Sequence, residues 1–499
     1  MMGAIARATA VLATMKQASE EGARERVMYP RRHRPQPLRR SPLVGGTPVT
    51  EEIAMGLRRV VFGHSNAPSR SEWLRTAIVF REPDADLSYG LRLPRNGTRS
   101  LLAAVQAHVI KHLIFPPPPP RPHPKVPGAA LRALRPSAEK QQEALWQSLA
   151  DIIWRAGERA RGIVCLSPCA TTGGEGAPSY VAQSSVYFQD GVTERLRIFE
   201  FHVKEDLEIF LKCYAYIFQE DPGPGALLLL YSAVLSRGLD EVRTDLGEER
   251  FSLLSAVSPN APTPSGPTSN QLSNDKKPKF PGGLPPTAVM PTDSSAEEGP
   301  ECIVALALTG RATPYLHNGV IYVGDENTYA RPRYGIPCRS EVGFLVWRGD
   351  ADDAAAAAMA SSAPSSASAP PEDGRHPGSR LKTPSLPVWV TFCGGHYGVV
   401  FNTNRELLRD YHAERRFDLY YYSGGHTGNH TLLSVDTRFA GGGGGGGIFG
   451  MMMDDSYQNG NKPSKSNLGD INGAPPLEHL IHTKWRDAQV TWNGTIPHV

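Results

Sequence analysis

Cysteine is scarce, with six in 499 residues at positions 165, 169, 213, 302, 338 and 393. That is too few for a disulfide scaffold, and no paired Cys-x-x-Cys set stands with histidines at zinc spacing. No metal or cofactor is expected. Charge of one sign is also missing. The 53 basic and 50 acidic side chains leave a net charge of +3, which argues against nucleic acid or an anionic membrane as the partner. The longest apolar run, Ala226 to Leu235, is about half of the roughly 20 residues a membrane span needs. The first residues carry Arg7, Lys16 and only a weak apolar stretch, so a cleaved targeting peptide is not expected. These features point to an intracellular protein of the cytoplasm or nucleus, in which the Asn-x-Ser/Thr sequons at Asn96, Asn429 and Asn493 are chance matches.

Glycine and proline are plentiful, at 49 and 44 residues, and they concentrate in segments without hydrophobic period. Residues 1–48 read as a basic, proline-containing tail, and 116–137 open with five prolines that favour an extended polyproline spacer. Residues 257–300, 351–384 and 440–475, the last with glycines from Gly441 to Gly447, read as linkers. The glycine run lacks the strand and lysine of a phosphate loop. What is left suits one large domain, 49–499, interrupted by insertions.

The remaining islands predict an α+β fold. Leu101, Leu102, Val105, Val109 and Leu113 form one stripe of an expected amphipathic helix over 101–113, with His108 and Lys111 facing away. A second stripe runs Leu207, Phe210, Leu211, Tyr214 and Phe218. A nearly all-apolar helix from Ala226 is expected to stop at Gly238 in a left-handed conformation. Residues 388–392, 396–401 and 417–422 are rich in β-branched and aromatic side chains, as buried strands are. Cys165 and Cys169 read as buried structural thiols.

The stretch SYGLRLPRNGTRSLLAAVQAHVIKHLIF at 88–115 resembles the start of the catalytic domain of the MINDY family of cysteine deubiquitinases, most closely its fourth branch. In the same order follow LEIFLKCY (207–214), LLLLYSAVLSRGLDEVRTD (227–245), SEVGFLVW (340–347), PVWVTFCGGHYGVVF (387–401), FDLYYYSG (417–424), LLSVDT (432–437) and HTKWRDAQVTWNG (482–494). The resemblance implies a papain-like isopeptidase fold and, for active members, cleavage of lysine-48-linked polyubiquitin. Those members carry Gly-Gly-Pro-Cys-Gly before a Leu-Ala-Ala-Val-Gln helix, with a glutamine six residues ahead of the cysteine.

Leu102, Ala103, Ala104, Val105 and Gln106 fix the register without a gap. Arg99 then stands at the nucleophile, Ser100 at the following glycine, Thr98 at the proline and Leu93 at the oxyanion glutamine. A cysteine at a helix N-terminus is a good nucleophile because the partial positive charge there, with a nearby histidine, stabilises its thiolate. Arg99 is a donor only, and its charge sits beside the helix's own positive end. Leucine cannot donate to an oxyanion, a contribution of roughly 3 to 4 kcal/mol in comparable sites. His396 matches the family's general base and is retained.

The resemblance therefore implies an inactive ubiquitin carboxyl-terminal hydrolase whose scaffold could still bind ubiquitin or lysine-48-linked chains. One alternative is a residual hydrolase using Ser100 or Cys393 with His396. Ser100 reads first as a helix N-cap. Cys393, three residues before His396, would point to the opposite face of an extended strand unless Gly394 and Gly395 bulge. The other alternative is an interaction scaffold without ubiquitin binding, working through 257–300 or 351–384.

Overall fold

The computed structural model describes residues 43–82, 86–116, 129–168, 178–247, 250–254, 298–323, 331–349, 374–424, 431–438 and 475–493. Strands β1 (Thr47–Pro48), β2 (Gly162–Leu166) and β3 (Arg197–Phe201) form a small antiparallel sheet in the order β1-β3-β2. A hairpin pairs β4 (Val320–Val323) with β5 (Arg331–Tyr334). The main sheet runs β11-β10-β9-β8-β7-β6, built from β6 (Gly343–Trp347), β7 (Val388–Cys393), β8 (His396–Phe401), β9 (Arg416–Tyr422), β10 (Thr431–Asp436) and β11 (Gln489–Asn493). Only β6–β7 is parallel in it. The three expected strands are thus consecutive members of one sheet.

Alternation along these strands sorts side chains between two cores. Val388, Val390, Phe392, Tyr397, Val399 and Phe401 face the helical layer. Trp389, Cys393, Val400, Leu419 and Tyr421 face the other way, onto Leu477, Leu480, Ile481 and Trp485. The helices of seven residues or more are α1 (Glu51–Phe62), α2 (Arg99–Ile114), α3 (Ala138–Ala156), α4 (Lys204–Tyr214), α5 (Gly225–Arg237), α6 (Leu239–Leu246), α7 (Glu301–Thr309) and α8 (Pro476–His482). Helix α1 starts as its sequence prescribes. Thr50 accepts from the Ile53 N–H at 3.3 Å, Glu51 and Glu52 occupy the first turn, and Gly63 closes the end at φ +87°. Among the described residues no helix is long and apolar enough to cross a membrane.

Helix α2 departs from the amphipathic expectation. Every residue from Arg99 to Lys111 is buried, including His108, because α2 lies between α3 and α7 on one side and β7 and β8 on the other. Complete burial pulls the His108 imidazole down to about 3, so it is a neutral core residue bonded to the Ala104 carbonyl at 2.9 Å. Gly238 does adopt positive φ, +105°, but with ψ 138° it is a glycine-favoured joint between α5 and α6 rather than a left-handed cap.

Several expected linkers are shorter than their composition suggests. Residues 43–48 include strand β1, Ala129–Ala133 and Ser379–Lys382 are short helices, and 298–300 pack against α2. The rest of 1–48, and 117–128, 255–297, 350–373 and 439–474 with Gly441–Gly447, lie outside the described residues, as do Cys169 and Asn429.

Candidate active site

The N-terminal end of α2 is built by a tight turn. Asn96 Oδ1 accepts from the Thr98 N–H at 3.0 Å and from the Thr98 hydroxyl at 2.6 Å, and the Asn96 carbonyl accepts from the Arg99 N–H at 3.0 Å. The segment leading into it is pinned from inside the helix. Gln106 accepts from the Leu91 N–H at 2.5 Å and donates to the Tyr89 carbonyl at 3.1 Å, while Tyr422 Oη donates to the Leu91 carbonyl at 2.5 Å. Gln106 thus satisfies backbone groups that would otherwise be buried without partners. Leu93 packs its side chain into the apolar core and lies close to Gly424, where an added Cβ would stand 2.6 Å from Leu93 Cβ.

Arg99 does not project into solvent. Its side chain is 4% exposed and brackets three backbone segments. Nε donates to the Tyr397 carbonyl at 3.0 Å, Nη1 to the Leu93 carbonyl at 3.3 Å, and Nη2 to the Ser423 carbonyl. Its counter-ion is Glu298, whose Oε2 lies 3.1 Å from Arg99 Nε. Burial lowers the Arg99 pKa from its ordinary value and the Glu298 charge opposes that; an arginine stays protonated under such conditions.

Glu298, 3% exposed, joins Arg99 to the histidine. Its Oε1 accepts from His396 Nδ1 at 2.8 Å and its Oε2 from the Tyr397 N–H at 2.8 Å. A carboxylate can only accept, so the neutral imidazole carries its proton on Nδ1 and leaves Nε2 as the acceptor. The His396 side chain is 30% exposed. Arg99 and His396, far apart in sequence, therefore meet at one carboxylate that lies in an expected linker, and the Leu93 carbonyl is held beside them by Arg99. The signal for that carboxylate was indirect: a buried arginine requires a counter-ion, and an acidic pair, Glu297–Glu298, stands just before the apolar run of α7.

The structure corrects two local readings. Ser100 is not an N-cap: it is the second residue of α2, and its Oγ is buried without a hydrogen-bond partner. Cys393 and His396 are not separated by an extended strand. Gly394 at φ +58° and Gly395 at φ +86° turn the chain in two residues, so Cys393 and His396 are cross-strand partners. The Cys393 side chain packs in the core beyond the sheet, and burial pushes its thiol up to about 12, so it is not a ready thiolate.

The chain matches the family described as "Deubiquitinating enzyme MINDY-3/4, conserved domain" over residues 58–262 and 290–494. It is 28% identical over 91% of its length to the "Probable ubiquitin carboxyl-terminal hydrolase MINDY-4" of Xenopus tropicalis. The proteins of the same name from Mus musculus and Homo sapiens are 29% and 28% identical over 90% of the chain. The chain spans about half the length of these curated relatives, 46–47%. No solved structure matches.

Proposed function

This chain belongs to the MINDY-3/4 family of deubiquitinating enzymes, and from that premise we propose that it is an inactive ubiquitin carboxyl-terminal hydrolase that retains binding to ubiquitin, with lysine-48-linked chains as the preferred form. The observation that carries the reading is Arg99. In the register set by Leu102–Gln106 it stands where the nucleophile should be, and it is spent on the Tyr397, Leu93 and Ser423 carbonyls and on Glu298.

Cysteine hydrolysis needs a thiolate to attack the isopeptide carbonyl, a base to take its proton and return it to the leaving lysine amine, and donors for the oxyanion. His396, held by Glu298, is oriented for proton transfer, but among the described residues no accessible nucleophile stands beside it, its cross-strand neighbour Cys393 being buried. Leu93 offers its carbonyl to Arg99 and has no side-chain donor. The substitutes fare poorly: Ser100 Oγ is sealed in, and the Cys393 thiol is buried. Ubiquitin binding outlives such losses when it rests on a surface much larger than the reacting atoms.

Incubating the purified protein with lysine-48-linked chains is expected to release no monoubiquitin. Robust cleavage that disappears in His396→Ala would overturn the proposal.

A further inference from the structure

Residues 298–300 cross the N-terminal end of α2 in direct contact with it. A Cβ at Gly299, which sits at φ +96°, would lie 2.4 Å from the Gly97 carbonyl oxygen and 2.4 Å from Ser100 Oγ. Only a residue without a side chain passes there at that conformation. Glu298, immediately before it, turns inward to Arg99, His396 and the Tyr397 N–H. Pro300, immediately after it, caps the start of α7. The outcome is a closed surface. Arg99 and Glu298 are almost fully buried, and Ser100 Oγ and Tyr421 Oη are buried without hydrogen-bond partners. The imidazole of His396 alone among these groups reaches solvent appreciably.

A hydrolase must hold this ground open for the extended C-terminal tail of ubiquitin, which has to bring its last carbonyl to the helix N-terminus. Here the strap lies against that helix end, and lifting it to admit a tail separates Arg99 from Glu298 inside a low-dielectric interior. Uncoupling a buried pair leaves both charges without partners, and a short flexible tail that also loses its own freedom on binding offers little in return.

We infer that the strap Glu298–Pro300, clasped by Arg99, plugs the tail channel, so this chain recognises the globular body of ubiquitin and not its C-terminal tail. The inference rests on the ubiquitin binding proposed above and names which part of ubiquitin the binding uses. It follows that free ubiquitin, chain ends and conjugated ubiquitin are equivalent ligands as far as the tail is concerned.

The test is a titration of the unlabelled full chain into isotope-labelled ubiquitin and, in parallel, into ubiquitin lacking its flexible C-terminal tail, followed by amide resonances. Dissociation constants equal within about twofold, with perturbations confined to the folded body, are expected. Loss of affinity of about tenfold or more on truncation, or perturbation of the tail's own resonances, would overturn the plug while leaving ubiquitin binding in place. Absence of shifts with either protein would remove the binding proposal and the inference with it. Glu298→Gln supplies the converse: with the clasp weakened, full-length ubiquitin is expected to gain affinity over the truncated form, and an unchanged ratio would count against the strap as the barrier.

Discussion

The two ends of helix α2 both carry ion networks, and they follow opposite logic. At the C-terminal end Lys111 and His112 sit in the last turn, where the helix dipole favours cations. Lys111 reaches Asp151 at 2.5 Å and Glu341 at 2.6 Å. His112 and Lys204 reach Asp151 at 2.8 Å each, and Arg155 reaches Glu341 at 2.8 Å. This network joins α2, α3, α4 and the approach to β6. At the N-terminal end Arg99 is a cation where the dipole favours anions. Glu298 reverses that local balance, bringing a carboxylate to the end that prefers one while neutralising the guanidinium. One end reinforces the helix; the other is an exception held by a single residue from a distant segment. An arginine is accommodated at this end because its counter-ion arrives with it.

That contrast orders the expected effects of mutation. Glu298→Gln is expected to be the most damaging, costing about 3–5 kcal/mol because it leaves Arg99 buried without a counter-ion; the midpoint of urea unfolding measures it. Asp151→Asn at the other end is expected to cost less, about 2–3 kcal/mol, since Lys204 is more than a third exposed and Glu341 still holds Lys111. Equal losses at the two ends would erase the distinction.

Acid sharpens the comparison. Burial alone would raise the Asp151 carboxyl, but the hydrogen bond from His112 and the charges of Lys111 and Lys204 outweigh it and hold Asp151 far below the usual carboxylate range. At Glu341 burial is likewise outweighed by Lys111 and Arg155, which hold it down to about 2. Carboxyls depressed in the folded state contribute stability above their unfolded pKa, roughly 4, and lose it as pH falls through the folded values. Stability should therefore decline from about pH 4 downward, and the decline should flatten in Glu341→Gln when unfolding is followed against pH.

The smallest expected change is in activity. Arg99→Cys with Leu93→Gln should still release no monoubiquitin from lysine-48-linked chains, because Glu298 would face the new thiol. A neighbouring carboxylate raises a thiol's pKa, and the strap would still cover it. Recovered cleavage would show that the strap opens.

Much of the fold was legible because it depends on local pattern. The strands around Trp389, Val399 and Leu419 announce themselves by β-branched and aromatic content, and the helices at Leu207 and Ala226 by their period or apolar density. The burial of His108 and Lys111 was not legible. A helix covered on both sides keeps no polar face, and its polar residues find partners such as Asp151 that lie distant in sequence. At the candidate site Arg99, Leu93 and His396 were singled out by motif register, and the structure places Arg99 and His396 against one carboxylate. Glu298 could not be read in that way, since it closes a gap of 98 residues to His396 and 199 to Arg99 and emerges from a segment whose composition reads as linker. The Gly394–Gly395 turn was foreseen only as an exception, although two glycines between β-rich runs are a hairpin signal.

The most direct test of the account is a double-mutant cycle on Arg99→Met and Glu298→Gln, read by chemical denaturation. If the two side chains act as one unit closing the site, each single change destabilises the protein and the double change recovers much of the loss, with a coupling of about 1–3 kcal/mol. Additive losses, with no coupling, would mean that Arg99 and Glu298 are separate contributors and that the clasp does not exist.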